Sequence, residues 1–217
     1  MNNSAIIFDM DGTLFQTNLI LEPALEVTFE QLRKDGLWEG VTPIEKYREI
    51  MGVPLSVVWE TLCPDHTTEV REESNRKFQL ALVDQIKTGN GALYEDVEST
   101  LEKLSKNHTL FIASNGQTAY LQAIVETYHL TRWMKGIYSI DLVPSGNKSE
   151  LVSIVLQQNH ITNGFVVGDR SSDIQAAYDN QLTSIGVRFD FAQEHELAKA
   201  DYVIDKIRNI HAIIEHT

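Results

Sequence analysis

Asp9 and Asp11 stand one residue apart at the end of an unbroken apolar run, Ala5-Ile6-Ile7-Phe8, and Gly12 follows them. Carboxylates this close repel each other unless a cation or a shared proton relieves them. The pair therefore points to a hard metal, to acid/base work, or to both. Three further polar groups sit in comparable places. Ser114-Asn115-Gly116 follows the apolar run ending at Ala113, and Lys148 follows the turn formers Pro144, Ser145 and Gly146. Gly168-Asp169-Arg170-Ser171-Ser172-Asp173 follows Phe165-Val166-Val167. Each alone reads as a turn, a solvated lysine or a helix cap. Jointly they permit phosphoryl transfer through a covalent aspartyl-phosphate. Asp9 would attack phosphorus. Asp11 would protonate the leaving oxygen and then take a proton from the attacking water. Mg²⁺ fits Asp9 and Asp169 as side-chain ligands, with Asp11 contributing through its backbone carbonyl. Ser114, Asn115, Met10 and Gly12 form the expected phosphate cradle, and Lys148 neutralises charge as the phosphoryl group moves.

Such residues act together only if the fold delivers them to one edge. A strand buried on both faces reads as a continuous hydrophobic run, and ligands of open α/β sheets sit outside the carboxyl ends of such strands. The expected strands are Ala5–Phe8, Thr109–Ala113, a short one near Gly136–Ile140, Phe165–Val167, Ser184–Val187 and Tyr202–Ile204. Helices alternate with them, carrying Val97, Leu101 and Leu104; Leu121, Ile124, Val125 and Tyr128; Leu151, Ile154 and Val155; Ile174, Ala177 and Tyr178; and finally Ile207, Ile210 and Ile214. This alternation predicts a doubly wound, Rossmann-like parallel sheet covered on both faces.

Between the first strand and the rest, about seventy residues keep a helical pattern. Leu21, Leu25, Phe29 and Leu32 form one stripe, with Pro23 placed for a first turn and Gly36 for the stop. Thr42-Pro43-Ile44-Glu45 is a capping-box pattern with proline at its first helical position. Val53-Pro54 and Cys63-Pro64 punctuate the next stretch, and Gly89-Asn90-Gly91 ends the stripe of Phe78, Leu82 and Ile86. The organisation expected is a catalytic core of residues 1–16 and 89–217 with an inserted all-α cap, residues 17–88. Hinges are expected near Gln16-Thr17 and Gly89–Gly91.

The chain of 217 residues is long enough for this, and 42 % hydrophobic residues are too many for disorder. Formal charge is −13, which disfavours nucleic acid and anionic membranes as partners. No stretch reaches the roughly 18 apolar residues needed to cross a bilayer, and Met1-Asn2-Asn3-Ser4 lacks the features of a secretory signal. Cys63 is the only cysteine, which suits a reducing, cytoplasmic setting and a small buried hydrophobe. A monomer or weak homodimer is expected.

At these residues the sequence resembles the haloacid dehalogenase superfamily of phosphohydrolases. Asp9-Met10-Asp11-Gly12-Thr13-Leu14 is similar to its first motif, Ser114 to its second, Lys148 to its third, and Gly168-Asp169 through Asp173 to its fourth. The insert resembles that of the subclass with an α-helical cap, which includes phosphoglycolate phosphatase and β-phosphoglucomutase. The resemblance implies Asp9 as nucleophile, Asp11 as acid/base and Asp169 as a magnesium ligand. It implies Asp173 as a ligand through water or a partner holding Lys148. The substrate implied is a small phosphorylated metabolite. Gln16 stands where relatives often carry an acid, and Ser149 where they often carry proline.

Several rival activities fit parts of the pattern. A dehalogenase needs no proton donor at Asp11 and no magnesium. A phosphonate hydrolase needs an imine-forming cap lysine, for which Lys46 qualifies only by location. A phosphomutase shares the whole site. A signalling receiver domain places its phosphoacceptor after the third strand, and a retired binding protein would not keep every position filled. Arg48, near Met51-Gly52-Val53, is the insert residue expected to touch a substrate, whereas Trp59, like Trp38 and Trp133, is expected chiefly to pack in the insert or at an interface, with substrate stacking as its lesser reading.

Overall fold

The computed structural model describes residues 4–50, 53, 55–190 and 192–215. Met51, Gly52 and Pro54, which entered the reading of the insert, lie outside the described residues, as do Met1, Asn2 and Asn3. The chain divides into two compact units, Met1–Gln16 with Ala92–Thr217, and Thr17–Gly91.

The first unit alternates strand and helix: β1 Ala5–Phe8, α5 Val97–Leu104, β2 Thr109–Ser114, α6 Thr118–Thr127, β3 Met134–Ser139, α7 Lys148–Asn159, β4 Gly164–Gly168, α8 Ser171–Asp179, β5 Thr183–Val187, α9 Glu194–Leu197, β6 Tyr202–Ile204 and α10 Ile210–Ile214. All six strands are parallel, in the order β3-β2-β1-β4-β5-β6. β1 is central, and the order reverses between β1 and β4. Crevices at such a reversal are where open α/β sheets bind ligands. Every residue of β1 is buried, as a strand covered on both faces requires. Ala5 and Ile7 share one face with Phe111, Ala113, Val152, Val155, Val166 and Ala177. The neighbouring Ile6 and Phe8, whose side chains point the other way along the pleat, are equally inaccessible.

The second unit is all helix: α1 Asn18–Lys34, α2 Ile44–Glu49, α3 Leu55–Leu62 and α4 Thr68–Lys87. α1 packs chiefly on α4, burying the expected Leu21, Leu25, Phe29 and Leu32. Gly36 takes φ +70°, and the Leu37 N–H reaches back to the Leu32 carbonyl at 2.8 Å. That left-handed stop satisfies the last turn, and glycine adopts it without steric cost.

Several expectations need correction. Pro23 lies inside α1, because the helix starts five residues earlier at Asn18. α2 begins with Pro43 as its cap residue and has no side-chain cap. The Thr42 hydroxyl is bonded instead to Glu26 at 2.5 Å and to Arg33 at 3.3 Å. Tyr178 does not join the buried stripe of α8; it is 78 % exposed. Trp59, by contrast, follows its packing reading and not the stacking one. It is 1 % exposed, lies between Phe29 and Phe78, and donates its indole N–H to Asn75 at 2.9 Å. Arg48 pairs with Glu45 at 2.6 Å on the surface of α2.

The boundary with the insert falls three residues later than the sequence suggested, at Ala92 rather than Gly89. Ala92 accepts the Gln16 backbone N–H at 2.9 Å, and Leu93 accepts the Gln16 side-chain amide at 2.7 Å. Phe15 also bridges to Leu93. Among the described residues no helix is long and apolar enough to cross a membrane. Cys63 is buried, and burial pushes its thiol up to about 11, so it packs as a hydrophobe.

Candidate active site

Asp9 follows β1 directly. Its backbone N–H donates to Val167 at 2.8 Å, which continues the β1–β4 ladder by one residue and fixes where its carboxylate starts. The chain then turns tightly, with the N–H groups of Thr13, Leu14 and Phe15 all directed at the Met10 carbonyl. Gly12 takes φ +70°, and a Cβ there would meet Asp169 Oδ2 at 2.5 Å. Glycine is thus required both by the turn and by the close approach of Asp169. Of the expected cradle, the Gly12 N–H is bonded to the Phe15 carbonyl at 3.1 Å.

Lys148 is the first residue of α7, which Asn147 caps by accepting the Ser149 N–H at 2.7 Å. Its ammonium is buried between two carboxylates, 2.6 Å from Asp9 Oδ1 and ion-paired with Asp173. Asp173 in turn accepts the Arg170 N–H at 3.1 Å, closing the first turn of α8. Asp169 follows β4 directly and is buried. Its Oδ1 has no hydrogen-bond partner among the described residues. Ligand oxygens of Asp9, Asp169 and Asp173 lie within 4.8 Å of one another.

Burial raises the Asp9 carboxyl above its usual range, against the pull of Lys148 and with a push from Asp11. Asp169 is driven well above that range by burial, then by Asp9 and Asp173. Asp173 is pushed up to about 6 by burial, with Lys148 opposing and Asp9 adding. For Lys148 burial disfavours the charge, but Asp173 and Asp9 outweigh it and hold the ammonium protonated. Three clustered carboxylates therefore face a single lysine. Their donors are all hard oxygen, and one buried Asp169 oxygen lacks a partner. This donor set suits a hard divalent ion.

Ser114 closes β2 and is buried; its Oγ accepts the Gly116 N–H at 3.1 Å, an arrangement that keeps its own proton for donation. Ser139 at the end of β3 donates to the Gly116 carbonyl at 2.8 Å and holds the same loop. The side-chain oxygen of Asn115 is buried with no partner among the described residues. Four segments, after β1, β2 and β4 and at the head of α7, thus carry the sequence-predicted residues. Asp9, Asp169, Asp173 and Lys148 form the tightest group among them. Asp11 is less buried, and its carboxylate is not one of the three that cluster.

Two partnerships were missed in the sequence. Tyr120 on α6 donates to Asp11 Oδ1 at 2.5 Å. Arg170 is clamped by Glu196 on α9, at 2.7 and 3.1 Å, which braces the residue beside Asp169. Both span long stretches of chain. A tyrosine within an apolar stripe reads as core, so no local signal marked Tyr120.

Comparison with known proteins places the chain in a family. Residues 6–187 match the family described as haloacid dehalogenase-like hydrolases. A pyrophosphatase PpaX from Listeria monocytogenes is 22 % identical over 218 residues, covering 97 % of this chain and 96 % of that protein. A 5'-nucleotidase from Pseudomonas aeruginosa is 24 % identical over 205 residues, covering 88 % and 86 %. The fold is shared by the crystal structure of a predicted phosphatase from Clostridium acetobutylicum, with a TM-score of 0.83, 19 % identity and all of each chain covered.

Proposed function

This chain belongs to the haloacid dehalogenase-like hydrolases, and we propose that within them it is a Mg²⁺-dependent phosphatase of small phosphorylated metabolites. The observation carrying this reading is the Asp9 carboxylate at the end of β1, tied to the Lys148 ammonium at 2.6 Å beside the unpartnered Asp169 Oδ1. The pyrophosphatase and the 5'-nucleotidase are both named for hydrolysis of phosphate compounds, which supports a phosphohydrolase. The helical unit, residues 17–91, serves in this reading as the cap that excludes water and selects the substrate.

Asp9 attacks phosphorus and becomes an aspartyl-phosphate, while Asp11 gives its proton to the departing oxygen. Asp11, now ionised, takes a proton from a water that attacks the same phosphorus, and Asp9 leaves as a carboxylate with phosphate released. Ser114 and Lys148 hold the non-bridging oxygens and offset their charge. Asp9, Asp169 and Asp173 are the residues that would hold Mg²⁺, directly or through water. The ion, when bound, neutralises the charge of the transferring phosphoryl group.

Phosphate release from pyrophosphate, nucleoside 5'-monophosphates, phosphoglycolate and hexose phosphates, each with Mg²⁺ and with a chelator, tests the reading. Metal-dependent release from one or a few of them is expected. Absence of release from all of them by the folded protein overturns it.

Cation binding is also expected to show without turnover. Mg²⁺ at about one hundred times its Kd stabilises a protein by about 2.7 kcal/mol, and each kcal/mol raises Tm by about 2–4 °C at this size. A rise of several degrees, reversed by chelator and lost in Asp169→Asn, is the outcome calorimetry should give. An identical Tm with and without the ion counts against the site.

A further inference from the structure

We propose that Glu196 is a positioning residue for the cation site, holding in place the backbone that carries Asp169. This inference rests on the reading of Asp169 as a Mg²⁺ ligand. The Glu196 carboxylate accepts three N–H groups from the two residues that follow Asp169. Its Oε2 takes Arg170 Nε at 2.7 Å and the backbone N–H of Ser171 at 3.1 Å, and its Oε1 takes Arg170 Nη2 at 3.1 Å. A fork of charged bonds fixes direction as well as distance. Only 12 % of the Glu196 side chain and 19 % of the Arg170 side chain reach solvent, so water competes little for these bonds. Burial opposes the Glu196 charge, yet the Arg170 and Ser171 bonds outweigh it and hold the carboxyl below its usual range.

Asp169 needs such support. Its Oδ1 has no hydrogen-bond partner among the described residues, and ligand oxygens of Asp9 and Asp173 lie within 4.8 Å of its own. Like charges so close push a carboxylate away from the position that a shared cation requires. What holds it there is the backbone on either side. Upstream, Gly168 pairs with Gly186 in the β4–β5 ladder. Downstream, the Arg170 N–H goes to Asp173 at 3.1 Å and the Ser171 N–H to Glu196. α9 is itself seated on β5: Leu197 is 1 % exposed, and a Cβ on Gly186 would meet its Cδ2 at 2.9 Å. Gly186 therefore supports Asp169 from both directions, through the ladder before it and through α9 after it. Folding, and not cation binding, sets the position of this ligand. Loss of Glu196 would transfer that ordering to the binding step and weaken it.

Calorimetric titration with Mg²⁺ tests this in the unsubstituted protein, in Glu196→Ala, Glu196→Gln and Asp169→Asn, and in the double variant Arg170→Leu with Glu196→Leu. In Glu196→Ala the Kd for Mg²⁺ should rise at least about tenfold, since the partners that orient metal ligands contribute about 10–100-fold in affinity. Glu196→Gln keeps an acceptor for Arg170 and Ser171 and should recover part of the loss. Saturating Mg²⁺ should return kcat of Glu196→Ala to within about threefold of the unsubstituted protein, because no reacting group has been removed. The double variant removes the ion pair without altering net charge and leaves no unpaired guanidinium, so it carries the test if Glu196→Ala does not fold. Its Kd should also rise about tenfold, which separates holding from charge. A Kd within about threefold of the unsubstituted value in either variant overturns the inference, as does a kcat that excess Mg²⁺ fails to restore. Mg²⁺ binding absent from the unsubstituted protein, or untouched by Asp169→Asn, overturns the Mg²⁺ reading itself. Binding lost in Asp169→Asn beside an unaffected Glu196→Ala overturns the role of Glu196 alone.

Discussion

Asp9→Asn should lower phosphate release by at least about 10⁴-fold while leaving a folded protein, since loss of a covalent nucleophile costs as much as the loss of a whole catalytic unit. The amide occupies nearly the same volume at the end of β1, and its backbone N–H keeps the bond to Val167. Electrostatics should offset part of the structural cost. Burial and Asp11 both oppose the Asp9 charge, so neutralising it relieves that opposition at the same time as it removes one partner of Lys148. Lys148 retains Asp173. Thermal unfolding within a few degrees of the unsubstituted protein is expected beside the collapse in turnover. Mass spectrometry of acid-quenched enzyme should find a phosphoryl adduct on Asp9 before substitution and none after it. A variant keeping a tenth of the rate would remove Asp9 as nucleophile.

Lys148→Ala should be the reverse case, damaging the fold and the chemistry together. The lysine is 5 % exposed and stands between Asp9 and Asp173, with Asp169 close by. Removing one partner of a buried ion pair leaves uncompensated charge and costs about 3–5 kcal/mol. Three carboxylates would then share the pocket without the lysine that offsets them. Urea unfolding is expected to show that loss in the metal-free protein, and a smaller one when Mg²⁺ is present to take over part of the role. Turnover should fall and KM rise, because the ammonium acts on the phosphoryl oxygens in both ground and transition states. Unchanged stability would mean that the lysine is not the counter-charge of the cluster, and an unchanged rate would sink its catalytic role.

The candidate site residues were legible because their context was. Asp9, Ser114 and Asp169 each end a run of apolar residues, and the parallel sheet turns that linear pattern into one edge. Lys148 was readable from the turn formers before it. What stayed hidden was everything decided across the chain. Tyr120 resembles its apolar neighbours on α6, and only the fold reveals that its hydroxyl reaches Asp11. Glu196 reads as a surface acid until α9 carries it to Arg170. Errors inside the helical unit have a different origin. Local cap rules placed Pro23 and Thr42 at helix starts, but tertiary packing extended α1 backward and gave Thr42 to Glu26 and Arg33. Trp59 was read chiefly as packing, and its burial agrees. Gln16 was noted as a departure from its relatives, and its amide proves to hold Leu93.

The central place of β1 has a consequence for how the protein is made. Its neighbours β2 and β4 begin at Thr109 and Gly164, so β1, made before either of them, waits longest among these strands for its partners. From Phe8 to Gly168 the ribosome adds 160 residues. At about 5–20 residues per second this takes roughly 8 to 30 s. The helical residues 17–91 emerge inside that interval and can form their own contacts from local sequence alone, whereas the strand Ala5–Phe8 remains an unpaired apolar segment until the later chain arrives. Slowing synthesis lengthens the time during which that strand needs protection, so soluble yield is expected to depend on translation speed.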